Sequence, residues 1–362
     1  MEMKKLLAVL LVATVLMSAV GCANDGTTNS QETGSAVETE TSGTEESSND
    51  SESEPAEVIT LRVAHNQTSL DNPYQFGLNK FAEEIKRLSG GSIVAEVYPG
   101  TLGTNESELA MKLTTDSVDM VVASPGFMAG TGVPEFDLLS LLYLFDSFEH
   151  WETTIDGEFG DVMKELITEK TNNDFKVVGY YSSGVRNYYG KKPINVPEDA
   201  AGLNIRLQGS PVQQEFWKTA GANPISVGWA ELYQALNTGT ADAAENDHTN
   251  MMLQSHHTTP NGKYTSLTNH DYTTRLLLMN GHMFDQFTEE EQGWILEAAK
   301  ASVAEERAVT YEMLDESREK ILAEGGEINE VELDKFKALA LPIQDRYAQE
   351  NGLEDLLELT RQ

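Results

Sequence analysis

The sequence predicts an α/β fold, and three observations carry that prediction. Short apolar or alternating runs take turns with helix-forming segments through residues 59–123 and again through 175–246. One of these runs, Val118 to Ala123, is apolar at nearly every position, as expected of a central strand buried on both faces. A third feature is the run from Glu289 to Leu322, almost free of breakers and stopped by Gly325-Gly326, which is long enough to brace two domains. Strand–helix alternation implies a mostly parallel sheet with right-handed crossovers. The 362-residue chain has room for two domains.

At the N-terminus, Lys4 and Lys5 precede an apolar run from Leu6 to Met17 that ends in small residues and Cys22. A basic start and a short apolar stretch predict an export signal, residues 1–22, rather than a bilayer span. The SAVGC ending resembles a bacterial lipobox, with Ala19 where that motif usually has leucine; this predicts lipid attachment at Cys22. Cys22 is the only cysteine, so no intrachain disulfide is possible. Residues 23–57 hold ten acidic residues, no Lys or Arg, and mainly Ser, Thr, Gly and Asn, the composition of a disordered acidic tether.

The body begins with an alternating strand from Ile59 to Val63. A helix follows, with Pro73 in its first turn, Asp71 or Asn72 as cap, and Tyr74, Leu78, Phe81, Ile85 and Leu88 on one face. Next come a strand from Ile93 to Tyr98, a helix from Glu106 to Thr115 and the central strand. Further on, strands are expected over Phe175–Tyr181, Leu203–Leu207, Asn223–Val227, Ala241–Ala244 and Thr274–Asn280. Helices are expected over Pro211–Ala220 and Ala230–Asn237, and residues 247–271 read as an irregular polar stretch.

Candidate binding residues follow from this layout. In GLNIRLQ (202–208), Leu203, Ile205 and Leu207 share one strand face, while Asn204, Arg206 and Gln208 share the other. A guanidinium is always charged and fits a carboxylate bidentately, so Arg206 is either a carboxylate receptor in a cleft or an exposed surface group. Open α/β sheets bind ligands beyond the carboxyl ends of strands, and Ser124, Arg186, Arg206 and Asn246 lie at or just past such ends. Asn66 and Tyr74, in the first strand–helix loop, read either as capping residues or as donors to ligand hydroxyls. Glu245 reads as an orienting partner for an arginine or as a hinge group, and Trp217, in mid-helix, as core.

Charge narrows the function further. Residues 1–57 carry eleven carboxylates and two lysines, leaving −25 of the net −34 on the body, which argues against nucleic acid or anionic lipid as partner. There is no G-x-S-x-G, P-loop or G-x-G-x-x-G, and no acid–base pair stands out, so the chain does not read as an enzyme and no cofactor is expected. His248, His256, His257 and His270 flank the irregular stretch and read as surface or domain-interface residues rather than metal ligands.

Six motifs follow one another along the body: AHN…DNPYQFG at 64–77, ESELAMKLTTDSVDM at 106–120, LLYLF at 141–145 and SSGVRNYYG…KPI at 182–194, then DAAGLNIRLQGSP at 199–211 and GWAELYQALNTGTADAAEN at 228–246. On these motifs the chain, from about residue 59 to 345, resembles the extracytoplasmic solute-binding subunits of TRAP (tripartite ATP-independent periplasmic) transporters. Asp242-Ala243 replaces the usual Asp-Gly, and Leu142 stands where the family usually has proline. The resemblance implies Arg206 as the selectivity arginine, Arg186 as a second carboxylate contact, Trp229 as the site aromatic and Asn246 as the site amide.

It also implies a two-lobed, periplasmic-binding-protein-like fold of mixed sheets with helices on both faces and a long lobe-spanning helix. Lobe 1 would be 58–183 with 272–311 returning, lobe 2 would be 184–271 with 312–345 returning, and 346–362 a tail or helix. The implied ligand is a small carboxylate, and the implied partners are the membrane subunits of an ion-gradient-driven permease, with the membrane touched only through the lipid. The protein would then sit outside the cell membrane, anchored to its outer face. The polar groups Asn66, Gln208, Asn246, Asp247 and His248 exceed what a simple dicarboxylate needs, and IRLQGSPV and AENDHTN resemble members that bind hexuronates or related sugar acids. A C4-dicarboxylate, a keto acid, or a sensing role for a receptor remain the alternatives.

Overall fold

The computed structural model describes residues 58–103 and 105–362; the expected export signal, the expected lipid attachment at Cys22 and the expected tether over 23–57 lie outside them. The first strand, β1 (Ile59–His65), leads into α1 (Pro73–Leu88), whose Asn72 cap accepts from the Tyr74 amide with Pro73 behind it. Then come β2 (Ile93–Pro99), α2 (Glu106–Leu113) and β3 (Met120–Ala123), the last buried at every position. Four helices with no counterpart in the sequence reading follow: α3 (Pro125–Met128), α4 (Pro134–Leu138), α5 (Phe148–Ile155) and α6 (Glu158–Lys170).

The second half starts with β4 (Lys176–Gly190), β5 (Asn204–Leu207), α7 (Pro211–Thr219), β6 (Asn223–Ser226), α8 (Leu232–Thr238) and β7 (Ala243–Asn246). The stretch 247–271, expected to be irregular, is instead α9 (His248–Leu253) and the first half of β8 (Tyr264–Met279). Its polar side chains hid a strand that runs through buried hydrogen-bonding surroundings rather than along a simple apolar core. The chain ends in α10 (Gly281–Phe284), α11 (Glu289–Ala323), β9 (Glu327–Asn329), α12 (Leu333–Asn351) and α13 (Glu354–Leu359).

One sheet joins all nine strands in the order β2-β1-β3-β8-β4-β7-β5-β6, with β9 beside β8. The expectation of a mostly parallel sheet holds at the flanks: β1 is parallel to β2 and β3, and β5 to β6 and β7. It fails at the centre, where β8 is antiparallel to β3 and β4, and β4 is antiparallel to β7. The sheet is mixed because two long strands cross its whole middle side by side, from Lys176↔Met279 to Gly190↔Tyr264. Their pairing slips between Ser182 and Val185, where Gly184 sits at φ +69°, a left-handed backbone that favours glycine.

Apolar residues gather on either side of that crossing. Phe136, Trp151, Phe159 and Leu276 share one cluster, and Leu61, Phe81, Met120 and Ile295 a second. Ile205, Leu207, Trp217 and Phe336 share a third, and Leu232, Leu236, Met251 and Ile321 a fourth. Helix α11 contributes to both sides, Ile295 in the second cluster and Ile321 in the fourth, and opens on a Thr288–Glu291 capping box. It approaches α1 so closely that a Cβ on Gly77 would meet Glu306 Cβ and Tyr181 Oη at 2.7 Å. Residues beyond 346 are helical, and Leu353, Leu356 and Leu357 pack into the first cluster.

Candidate functional site

A narrow cleft of about 20 Å³ is lined by Asn66, Gln67, Glu106 and Phe127 from the β1–β3 side and by Arg206, Gln208, Trp229, Asn246 and Asn250 from the β5–β7 side. Arg275, from the crossing strand β8, completes it. Of the two readings the alternation left open for Arg206, the structure shows the cleft: Leu203, Ile205 and Leu207 fill the third cluster, and Arg206, on the opposite strand face, lines the cleft. The side chain is only 2 % exposed. Its Nε donates to the Val227 carbonyl at 3.0 Å, and its guanidinium lies 5.9 Å from the centre of the Trp229 ring. Among the described residues no carboxylate pairs with it, and burial lowers its pKa, a shift that nearby Glu245 partly opposes.

Arg275 is similarly placed. Its Nε donates to Tyr74 Oη at 2.8 Å and its Nη1 to the Thr274 carbonyl, and among the described residues it has no ion-pair partner. Glu106, the first residue of α2, accepts from the Ser124 amide at 2.5 Å. The remaining lining groups are five amide side chains and the rings of Phe127 and Trp229. Trp229 Nε1 donates to Gln67 at 3.1 Å, joining the two sides of the cleft, and Asn72 donates to Asn250 at 3.2 Å nearby.

Arg206, Asn246, Trp229, Gln208 and Asn66, all singled out in the sequence, therefore meet around one space. Arg186, Tyr74 and Ser124 do not line it. Arg186 is fully buried, and its Nε and Nη2 both donate to the Glu245 carboxylate, with a further bond from Nη2 to the Glu245 carbonyl at 2.6 Å. Its Nη1 donates to Asn246 Oδ1 at 3.0 Å, which turns the Asn246 amide group. Burial works against both charges, yet the Arg186 guanidinium and His270 hold the Glu245 carboxyl at about 2, and Glu245 in turn raises Arg186. Glu245 thus takes the arginine-orienting role that its position suggested.

Tyr74 acts behind the cleft, donating to Ser183 at 3.0 Å while accepting from Arg275; burial raises its pKa to about 12. Ser124 holds Glu106 through its backbone, and its hydroxyl is buried without a partner among the described residues. Trp217 is core, as expected. The histidines are not surface groups. His256 is fully buried, bonded to Tyr189 at 2.8 Å and edge-on to Trp229, and burial lowers its pKa to about 3. His248 is lowered to about 4 by burial, and His257 meets Glu324 at 2.7 Å. Among the described residues no group of His, Cys, Asp and Glu is arranged to hold a metal.

Sequence reading missed Arg275, Glu106, Gln67, Phe127 and Asn250. Arg275 left a signal: it is the one charged residue in the strand expected over Thr274–Asn280. Glu106 left none, since an acidic first-turn residue is ordinary helix chemistry. A larger open groove of about 800 Å³ lies along α11, but its lining is mainly apolar and its arginine, Arg307, already pairs with Asp156 at 2.6 Å. The cleft is different, because among the described residues its cations have no acid bound to them.

A narrow cleft near strand ends, lined from both halves of a mixed sheet and holding buried arginines with no acidic partner among the described residues, fits a binding protein for a small organic anion. Residues 63–351 match the model of bacterial extracellular solute-binding protein family 7, and the chain belongs to that family. It is similar to a solved TRAP periplasmic solute-binding protein of Sulfitobacter sp. NAS-14.1 with bound β-D-galacturonate: 30 % identity, TM-score 0.78, 83 % of this chain and 99 % of that one. A second such structure, from Chromohalobacter salexigens with bound D-glucuronate, is 28 % identical with a TM-score of 0.78 and the same coverage of both chains. The 2,3-diketo-L-gulonate-binding periplasmic protein of Escherichia coli is 28 % identical over 70 % of this chain and 75 % of its own length.

Proposed function

We propose that this protein captures a sugar acid of the hexuronate class outside the cell membrane and delivers it to a TRAP permease, without catalysing a reaction. The observation that carries the ligand class is Arg206, a buried guanidinium with no acidic partner among the described residues, set in a cleft with five amide side chains. A carboxylate would satisfy the arginine bidentately, Asn66, Gln67, Gln208, Asn246 and Asn250 would meet hydroxyls, and Trp229 would cover the carbon skeleton. Arg186 would serve indirectly by aiming Asn246. The solved relatives with hexuronates bound support the same class.

Capture requires the two sides of the cleft to part and close, and the slip in β4–β8 pairing at Ser182–Val185 is the place for that bend. The lobes would then divide near Ser182–Gly184 and 271–274, with α11 bracing both. Lipid at Cys22 would tether the body to the membrane, and Cys22→Ala should release the full-length protein from the membrane fraction. The ligand class is tested by a thermal-shift screen of hexuronates, other sugar acids, C4-dicarboxylates and keto acids. Ligand at about 100 times its dissociation constant adds about 2.7 kcal/mol of stability, a shift of several degrees. Stabilisation by dicarboxylates or keto acids alone would reject the hexuronate reading.

A further inference from the structure

Three of the residues lining the cleft carry charge: Arg206, Arg275 and Glu106. Their formal sum is +1, which matches a ligand with one carboxylate. The geometry points to Glu106 as the residue that sets this balance, so that the cleft admits a sugar acid with one carboxylate and rejects the same carbon chain carrying two. This rests on the sugar-acid reading above and adds to it the charge state of the ligand.

Glu106 is 3 % exposed and fixed in place from two directions. It opens α2, whose Asn105 cap accepts from the Glu108 amide, and one of its carboxylate oxygens takes the Ser124 amide hydrogen at 2.5 Å. The other oxygen has no donor among the described residues, although Glu106 lines the cleft. A free carboxylate oxygen in a narrow cleft accepts from hydroxyls and repels a second carboxylate, and a like charge brought this close in a desolvated site is strongly disfavoured. Arg275, held by Tyr74 Oη and the Thr274 carbonyl, makes no hydrogen bond to Glu106 among the described residues and has donors left over for ligand oxygens. Removing the charge at 106 would raise the sum to +2 and suit a dianion.

The test is calorimetric affinity for D-glucuronate and for D-glucarate, which has the same carbon chain with a carboxylate at each end. The intact protein should prefer glucuronate by about tenfold or more. Glu106→Gln keeps an acceptor for the Ser124 amide; it should weaken glucuronate, strengthen glucarate, and move the ratio of the two affinities by about tenfold or more. A purely structural role for Glu106 would lower both affinities and the melting temperature together and leave the ratio unchanged, which overturns the inference. Equal affinity of the intact protein for the two ligands overturns it without any variant. Failure of the intact protein to bind any sugar acid would instead bring down the ligand class on which it rests.

Discussion

Arg186, inside β4, and Arg206, near the end of β5, are both buried arginines, and they live in opposite electrostatic situations. Arg186 is locked to Glu245 through the acid's side chain and backbone carbonyl, with His270 against the same carboxylate oxygen that Arg186 Nε meets. Among the described residues Arg206 has one hydrogen bond, to a carbonyl, and a tryptophan ring beside it. A third buried charge shows why the difference matters. Glu306, in the middle of α11, has no bonded cation; burial pushes its carboxyl up to about 8, against the pull of the Ser182 amide and the Thr310 hydroxyl. A carboxylate without a counterion can take a proton. An arginine cannot give one up, so a buried arginine without a counterion needs an anion from outside.

The largest effect should come from breaking the compensated side. Arg186→Ala leaves Glu245 buried and uncompensated, which should lower unfolding stability by about 3–5 kcal/mol in denaturant titration. Replacing Arg186 and Glu245 together with Met should recover most of that loss. If Arg186→Ala were instead as stable as the parent and only ligand affinity fell, Arg186 would belong to the ligand rather than to the scaffold.

Glu306 sharpens the comparison through pH. Its folded pKa is raised, so between about pH 4.5 and 8 the folded state holds a proton that the unfolded chain has released, and stability falls as pH rises through that window. Asp137 and Asp271, both raised to about 6 by burial, act in the same direction at lower pH. Glu306→Gln keeps the shape and the neutral state, so the melting temperature should become flatter between pH 6 and 8. An unchanged slope would place the titrating group elsewhere.

The smallest effect concerns Trp229, half-buried between Gln67, His256 and Arg206. Ligand binding should change tryptophan fluorescence, and Trp229→Phe should remove most of that change while weakening binding by about 1 kcal/mol, the worth of one cation–π contact. A full signal in the variant would move the aromatic contact to another residue.

Much of this was legible because strand periodicity and helix caps are local. The GLNIRLQ alternation put Arg206 on the face opposite the core, leaving cleft or surface open, and Asp71-Asn72-Pro73 marked the start of α1 to within a residue. What was not legible depends on partners far along the chain. Arg186 and Arg206 look equivalent in sequence, and only the β4–β7 pairing, which sets Tyr188 opposite Glu245 and Asn187 opposite Asn246, brings the acid onto Arg186. The first half of β8 was hidden because its Ser, Thr, Asn, His and Asp side chains bond to one another and to β4 rather than packing in a core, as Thr268 does with the Tyr188 amide. Glu106 and Arg275 approach the cleft from α2 and β8, and no spacing in the sequence announces that meeting.

The central claim is that Arg206 is the uncompensated charge that takes the ligand carboxylate. Calorimetry with the best hexuronate from the ligand screen, on the parent, Arg206→Lys and Arg206→Ala, tests it directly, with thermal melts of each without ligand. Arg206→Ala should lose about 2–5 kcal/mol of binding while its unliganded stability stays equal or rises, because a buried charge without a partner has been removed. Arg206→Lys should recover only part of the affinity, since an ammonium lacks the planar fork. Binding by Arg206→Ala within a few-fold of the parent, or a loss of affinity matched by a collapse in unliganded stability, would contradict the account.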